Sequence, residues 1–272
     1  MTRSARPWPR PRRSRRHDAA RNEREGRLAS RAVQATFLIA LIALWYLATT
    51  RWRVSPLLLP NPVVVARDFW HILKTGEFIG DLRVTLTELA AAFAIAASSG
   101  VVVGYVISRS QYRMRVLEPL FAGIYSVPII LFLPLYVLFF GLGPASKIAL
   151  GATIGFFPIA LNTIAGFGYV DKMLVVAARS MGASDVQLFR YVLLPAALPI
   201  ILTGMRMGFT VALLSIIGSE TIASLAGLGH RIVHLAEGME MAPMFAYIAF
   251  VVAIAAILNA LVSVLEARGK RP

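Results

Sequence analysis

The sequence predicts an all-α polytopic membrane protein with six transmembrane helices, and two observations carry that prediction. Of the 272 residues, 57% are hydrophobic and only 15% are charged, whereas a soluble domain carries about 25% charged residues. The apolar residues are also gathered into long charge-free windows instead of being dispersed over one face of a core. A helix needs roughly 20 such residues to cross a hydrocarbon layer about 30 Å thick, and each window can supply them. Lipid leaves helices and closed barrels as the only spanning forms, and the windows lack the short alternating pattern of barrel strands. A soluble α/β domain does not fit so little polar surface. Cysteine is absent, which removes disulfides, thiolate metal ligands and cysteine nucleophiles.

Residues 1–31 come first, with 11 arginines against Asp18, Glu23 and Glu25, and contribute +8 of the net +14. Pro7, Pro9 and Pro11 and the lack of apolar periodicity predict a disordered basic tail. Its charge fits contact with nucleic acid or anionic lipid, or a topology signal that keeps the N-terminus in the cytoplasm. The topology reading is adopted, with no nucleic-acid partner. The first helix is placed at 32–50. It is read as a retained span, because no convincing small-residue cleavage site precedes Arg51 and further spans follow. Residues 51–83 form an external segment, 84–265 a five-helix core, and 266–272 a C-terminus. The core windows follow Glu88, Glu118, Lys147, Tyr191 and Glu240, and only the fourth is interrupted, by Arg206. Segments 1–31, 109–115, 171–190 and 266–272 together carry 20 basic residues, against 7 in 51–83, 141–147 and 218–240. Both termini are therefore expected in the cytoplasm of a multi-pass inner-membrane protein.

The window after Glu118 is 28 residues long and contains Pro119, Pro128 and Pro134. Each proline removes a backbone donor and crowds the preceding turn. Such a break survives in lipid only where neighbouring helices or a water-lined cavity satisfy the freed carbonyls. Two readings follow: a kinked packing helix, or a kinked helix lining a passage with Pro128 and Pro134 on the pathway.

Residues 171–193, "DKMLVVAARSMGASDVQLFRYVL", read as two short helices where a polar loop would be ordinary. Asp171 can cap the first, and Gly182 can end it in a left-handed conformation. Ser184 with Gln187 forms a capping box for the second. Met173, Ala177 and Met181 share a face, and small residues at Ala177, Ala178, Gly182 and Ala183 permit close approach by a partner backbone. The segment either docks into a groove of another protein or rests at the lipid interface.

The spacing of Val176, Ala177, Ala178, Gly182, Val192, Leu194 and Pro195 resembles the cytoplasmic "EAA" loop of binding-protein-dependent ABC importer permeases, with Val176 where many members carry glutamate. The resemblance runs from about Leu57 to Arg268. "LLLPNPVVVARDFW", "VPIILFLPLYVLFFGLGPASKI", "FFPIALNTIAG" and "LPAALPIILTGMRMG" are similar to the nitrate, taurine and aliphatic-sulfonate subfamily. "TLTELAAAF" departs from it at Glu88 and Ala92. The resemblance implies a type I ABC importer permease fold with a cytoplasmic coupling-helix loop. It implies ATPase coupling through Ala177, Ala178, Gly182, Ala183, Ser184, Leu194 and Pro195. It also implies ABC ATPase subunits that use ATP and Mg, a periplasmic or lipid-anchored binding protein, and a second permease copy. The cargo it implies is a small anion (sulfonate, taurine or nitrate), with a pyrimidine or another small solute as the alternative.

Single residues add to this. An intramembrane arginine costs ~2.5–3.5 kcal/mol on insertion scales, so Arg206 either holds an anion, pairs with a carboxylate, or meets freed carbonyls near Pro128 or Pro134. Asn162 is interhelical glue or pathway lining. Glu220 belongs to an outer gate or marks the interface. His230 and His234 have metal-ligand spacing, with Glu237 nearby, but lack the glutamate of an H-E-x-x-H motif, so no metal site is expected. No G-x-x-x-x-G-K order occurs, so the chain binds no ATP through such a loop and no cofactor of its own. The rival class, a membrane-embedded enzyme, needs convergent acids, nucleophiles or metal ligands. The cytoplasmic segments have no histidine outside the tail and only scattered carboxylates.

Overall fold

A computed structural model describes residues 14–52 and 54–269, with side chains from residue 32 onward. Residues 1–63 and 64–272 form two compact units. In the first, helix α1 runs over Ser14–Thr50. Its upstream half corrects the expectation of a wholly disordered tail, since residues 14–31 are helical. All three tail prolines precede Ser14, and the stretch after it is rich in Arg and Ala, which favour helix. Residues 1–13 of the tail lie outside the described residues. Beyond α1, Trp45 Nε1 donates to the Pro60 carbonyl at 3.0 Å and holds the following turn to the end of its helix.

Helix α2, Pro62–Thr75, opens with proline at its first position, where the missing N–H costs nothing. Helix α3, Phe78–Ser108, begins before the expected core boundary at residue 84. Helix α4, Gln111–Tyr125, contains Pro119. A 3-10 turn at Ile129–Phe132 leads into α5, Leu133–Phe140. Next come α6, Pro144–Gly168, then α7, Lys172–Ser180, and α8, Asp185–Leu188. A π turn over Phe189–Leu193 joins α8 to α9, Leu194–Ile222. Helices α10, Leu228–Glu237, and α11, Met241–Gly269, complete the unit.

Among the described residues, five helical segments are long and apolar enough to cross a membrane: α1 from Ala32, α3, α6, α8 through α9, and α11. Helix α4 and residues 129–140 make a sixth only if taken together, because they are bent by 71°. This corrects the expected kinked helix to a broken one. Pro128 precedes the 3-10 turn and marks the break, whereas Pro134 sits in the first turn of α5, where proline is tolerated. At the break, the Ser126 hydroxyl donates to the Gly123 carbonyl at 2.6 Å, beside the Ser126 amide, which reaches the same oxygen at 3.2 Å.

The core is a close packing of α3, α6 and α9. Ala92, Ala96, Gly100 and Gly104 recur every four residues on α3, and Gly204, Gly208 and Ala212 do so on α9. A Cβ on Gly104 would lie 2.6 Å from Thr163 Cβ, and one on Gly208 would lie 2.5 Å from Ile159 Cγ1. Small residues let the backbones approach where lipid provides no hydrophobic drive for association. Phe93 and Phe209 close the packing edge to face, with ring centroids 5.3 Å apart. Helix α11 lies antiparallel to α9, as the pairs Thr203–Glu266 and Thr210–Asn259 show. Few of its side chains are buried.

Candidate functional site

At one end of the second unit, α7 and α8 form a preformed surface element. The Asp171 side chain accepts from the Met173 amide at 2.8 Å and caps α7. Gly182 has φ +81°, the left-handed turn expected between the two helices. A Cβ there would meet nothing within 4 Å, so the constraint is backbone conformation and not crowding. Ser184 and Gln187 form the expected reciprocal capping box. Arg179 joins Asp185 across the turn and also donates to the Ala183 carbonyl at 3.1 Å. Three apolar side chains stand out from this element, Met173 at 71% exposure, Met181 at 81% and Val186 at 74%, with Leu174 and Val176 also exposed.

The candidate coupling residues divide here. Ala177 and Ser184 are exposed, and Ala183 is half-buried. Ala178 is 4% exposed, which corrects its expected place on a partner-facing surface: it packs inward. Leu194 and Pro195 stand beyond the π turn, at the start of α9. Helical structure is continuous from α8 into α9, so displacement of the element is carried directly into a core helix. A π turn inside a helix is a frequent mark of a functional site.

The opposite end holds a buried polar cluster. Glu220, 1% exposed, accepts from Thr85 Oγ1 at 2.7 Å and from the Gly229 amide at 2.8 Å. The Leu228 amide donates to Thr85 Oγ1 at 3.0 Å, and the Gly227 amide to Asp81 Oδ1 at 3.3 Å. Glu220 thereby ties the loop between α9 and α10 onto α3. Gly227 is required at this point, since a Cβ would lie 2.3 Å from the Glu220 carboxylate. Glu88 and Lys147 are equally buried. The Lys147 ammonium donates to the carbonyls of Leu142 and Gly143 and so closes the start of α6. Glu88 and Lys147 also border a cavity of about 100 Å³ beneath residues 224–226.

Glu220 was visible in the sequence as a possible gate residue. Its companions carry no such signal: Glu88 and Lys147 read locally as ends of apolar windows, and Thr85 as a polar residue just before one.

The remaining candidates all contact neighbouring protein groups. Arg206 Nε lies 3.2 Å from Glu266 Oε2, so the arginine pairs with a carboxylate and not with carbonyls near Pro128 or Pro134. Glu266 is itself buried and also accepts from Thr203. The Asn162 amide donates to the Pro158 carbonyl at 2.8 Å, and its Cβ fills the space beside Gly204 of α9. The hydrogen bond therefore lies within α6, and the contact with α9 is the packing of Asn162 against Gly204. His230 and His234 stack with centroids 6.3 Å apart, and the described residues contain no cluster of three or more metal-ligating side chains.

The model for the family described as "Binding-protein-dependent transport system inner membrane component" matches residues 82–271. This chain belongs to that family. The permease is 34% identical over 227 residues to the taurine transport permease TauC of Escherichia coli K12, covering 82% of each chain. It is 31% identical to a putative aliphatic sulfonates permease, SsuC, of Bacillus subtilis, covering 83% of this chain and 82% of that one. It is 30% identical to the riboflavin permease RibX of Chloroflexus aurantiacus, covering 84% and 85%. Among solved structures, an amino acid ABC transporter aligns with 75% of this chain and 97% of its own, at a TM-score of 0.59 and 23% identity. The permease shares that fold. It is thus the transmembrane subunit of an ABC importer, a multi-pass inner-membrane protein whose ATP hydrolysis belongs to another chain.

Proposed function

We propose that this permease carries a small sulfonate-type anion, taurine or an alkanesulfonate, with nitrate as a further candidate. A periplasmic or lipid-anchored binding protein delivers the anion, a second copy of the chain closes the pathway, and ABC ATPase subunits seat on α7 and α8. The observation that carries the coupling role is the preformed α7–α8 element, with exposed Met173, Val176 and Met181 and an unbroken helical path into α9. The relatives named for taurine and aliphatic sulfonates support the cargo, and the riboflavin permease keeps another small solute as the alternative.

In this reading, movement of the ATPases displaces α7 and α8, and α9 follows. Helices α3 and α6 move with α9 because glycine-mediated contacts leave no slack between them. Glu220, with Thr85 and Gly229, holds the loop after α9 as part of the outer closure, while Arg206 and Asn162 stabilise helix packing. Pro128 and Pro134 place a broken segment beside the pathway. Six spans with both termini in the cytoplasm complete the topology. Reporter fusions after Gly143 and within 222–236 should read as external, and fusions after Arg113 and at the C-terminus as cytoplasmic.

The function is tested by reconstituting the permease with its ATPase and binding protein and measuring ATP-dependent uptake of labelled taurine. Uptake that hexanesulfonate or taurine competes for, and riboflavin does not, supports the proposal. Competition by riboflavin alone replaces the cargo. One permease chain per cross-linked complex would exclude the homodimer.

A further inference from the structure

A cavity of about 460 Å³ opens where α3, α6 and α9 end against α7 and α8. One wall is a three-ring box of Tyr105, Phe167 and Phe189, with centroid separations of 5.0, 5.3 and 6.0 Å. The rest of the lining includes Arg109, Arg179 and Asp185. Arg179 is already joined to Asp185. The Arg109 guanidinium makes no hydrogen bond or close ion pair among the described residues, although Asp185 also feels its charge. Two guanidinium groups against one carboxylate leave the lining with one excess positive charge. Arg113, Arg115 and Arg190 add to the basic character of the same end of the chain.

An occupant of this cavity must carry a single negative charge beside an apolar body. It must also arrive at the depth where membrane spans end, since Ser108 closes α3 and Phe167 lies one residue before the end of α6. We infer that the cavity is a binding site for an anionic phospholipid, whose phosphodiester meets Arg109 and whose glycerol and upper acyl segments lie on Tyr105, Phe167 and Phe189. A phosphodiester bears one negative charge and balances the excess on the lining. Basic pockets between helix ends are a recognised setting for anionic headgroups, and aromatic rings favour the same interfacial depth. A volume of this size lies within the usual range for small-ligand sites.

An ATPase is the less fitting occupant, because of the exposed apolar side chains on α7 and α8 only Val186 lines the cavity, and Met173, Val176 and Met181 do not. A partner on that apolar surface would leave the cavity to another ligand. A lipid held there bridges the ends of α3 and α6 to the α7–α8 element without a covalent link, and so sets how firmly that element follows the spans. The inference rests on the proposed topology only for which leaflet supplies the lipid.

The test uses the full-length permease purified in detergent, without ATPase or substrate, so its outcome is separate from that of the transport reading. Native mass spectrometry follows retention of added dioleoyl phosphatidylglycerol and of dioleoyl phosphatidylcholine. The wild type should retain one phosphatidylglycerol at about tenfold lower lipid concentration than phosphatidylcholine, a difference of about 1.4 kcal/mol. Arg109→Gln should erase that preference. Arg115→Gln, in the same stretch but outside the cavity, should keep it. Millimolar inorganic phosphate should not displace the lipid. In a second measurement, Tyr105→Trp should be quenched more by brominated phosphatidylglycerol than by brominated phosphatidylcholine. Equal retention of the two lipids by the wild type, an unchanged preference in Arg109→Gln, displacement by phosphate, or equal quenching would each overturn the inference.

Discussion

Replacing Gly227 with alanine is expected to free the loop between α9 and α10 from α3. Gly227 has φ 108° and ψ 166°, a region open essentially to glycine, where another residue costs about 1–3 kcal/mol. The new Cβ would also lie 2.3 Å from the Glu220 carboxylate. Glu220 must then move off Thr85 Oγ1 and the Gly229 amide, leaving buried polar groups unpaired at about 1–3 kcal/mol. Together these amount to about 2–6 kcal/mol, concentrated on residues 224–229. Hydrogen exchange of the detergent-solubilised protein reads this locally. At about 1.4 kcal/mol per tenfold, the Leu228 and Gly229 amides should exchange roughly 30-fold faster or more. Gly218→Ala is the control, since its Cβ meets nothing within 4 Å, and alanine in a helix gains up to about 1 kcal/mol over glycine. If Gly227→Ala exchanges like wild type or like Gly218→Ala, Glu220 does not hold this loop.

Arg206→Met should lower thermal stability in detergent by removing the guanidinium from beside the buried Glu266 carboxylate. Arg206→Met combined with Glu266→Leu should recover most of the loss, because exchanging both members of a buried pair for apolar groups is often neutral. If the double variant also transports normally, Arg206 is not a substrate ligand, whereas loss of uptake in a stable double variant would make it one. Gly182→Val should reduce ATPase association through left-handed strain of ~1–2 kcal/mol, and Gly182→Asn, which tolerates that conformation, should have little effect. Equal behaviour of the two variants, scored by co-purification, would remove backbone conformation as the reason for glycine there.

Local signals were the legible ones. The α7–α8 element could be read at nearly its full detail, because Asp171, Gly182, Ser184 and Gln187 act over three or four residues. The first window was equally plain in its apolar half. Its upstream extension is masked in the sequence by Pro7, Pro9 and Pro11, which stand just before the helix-favouring residues from Ser14 onward. The proline-rich window signalled a disruption, but spacing alone did not separate a kink from a 71° break. Ala92, Ala96, Gly100 and Gly104 carried a readable packing signal, small residues every fourth position, that charge counting passes over. The Glu220 cluster was hardest to read. Thr85, Glu88, Lys147 and the Gly229 amide converge only after α3, α6, α9 and α10 have packed, and each of the three side chains alone resembles a polar residue near the end of a span. Arg206 was marked as needing a partner, yet Glu266 is 60 positions away and became identifiable only from the antiparallel register of α9 and α11.

The most direct test of the account is ATPase co-purification with Met173→Asp combined with Val176→Asp. Both side chains are exposed and outside the core, so the variant should insert and remain monodisperse like the wild type. A carboxylate forced into an apolar interface is costly to bury, so a partner seated on α7 should be lost. The account predicts at least about tenfold less ATPase per permease, equivalent to about 1.4 kcal/mol, together with loss of transport. Wild-type ATPase recovery from the well-folded double variant would contradict it and would assign this apolar surface to the lipid interface.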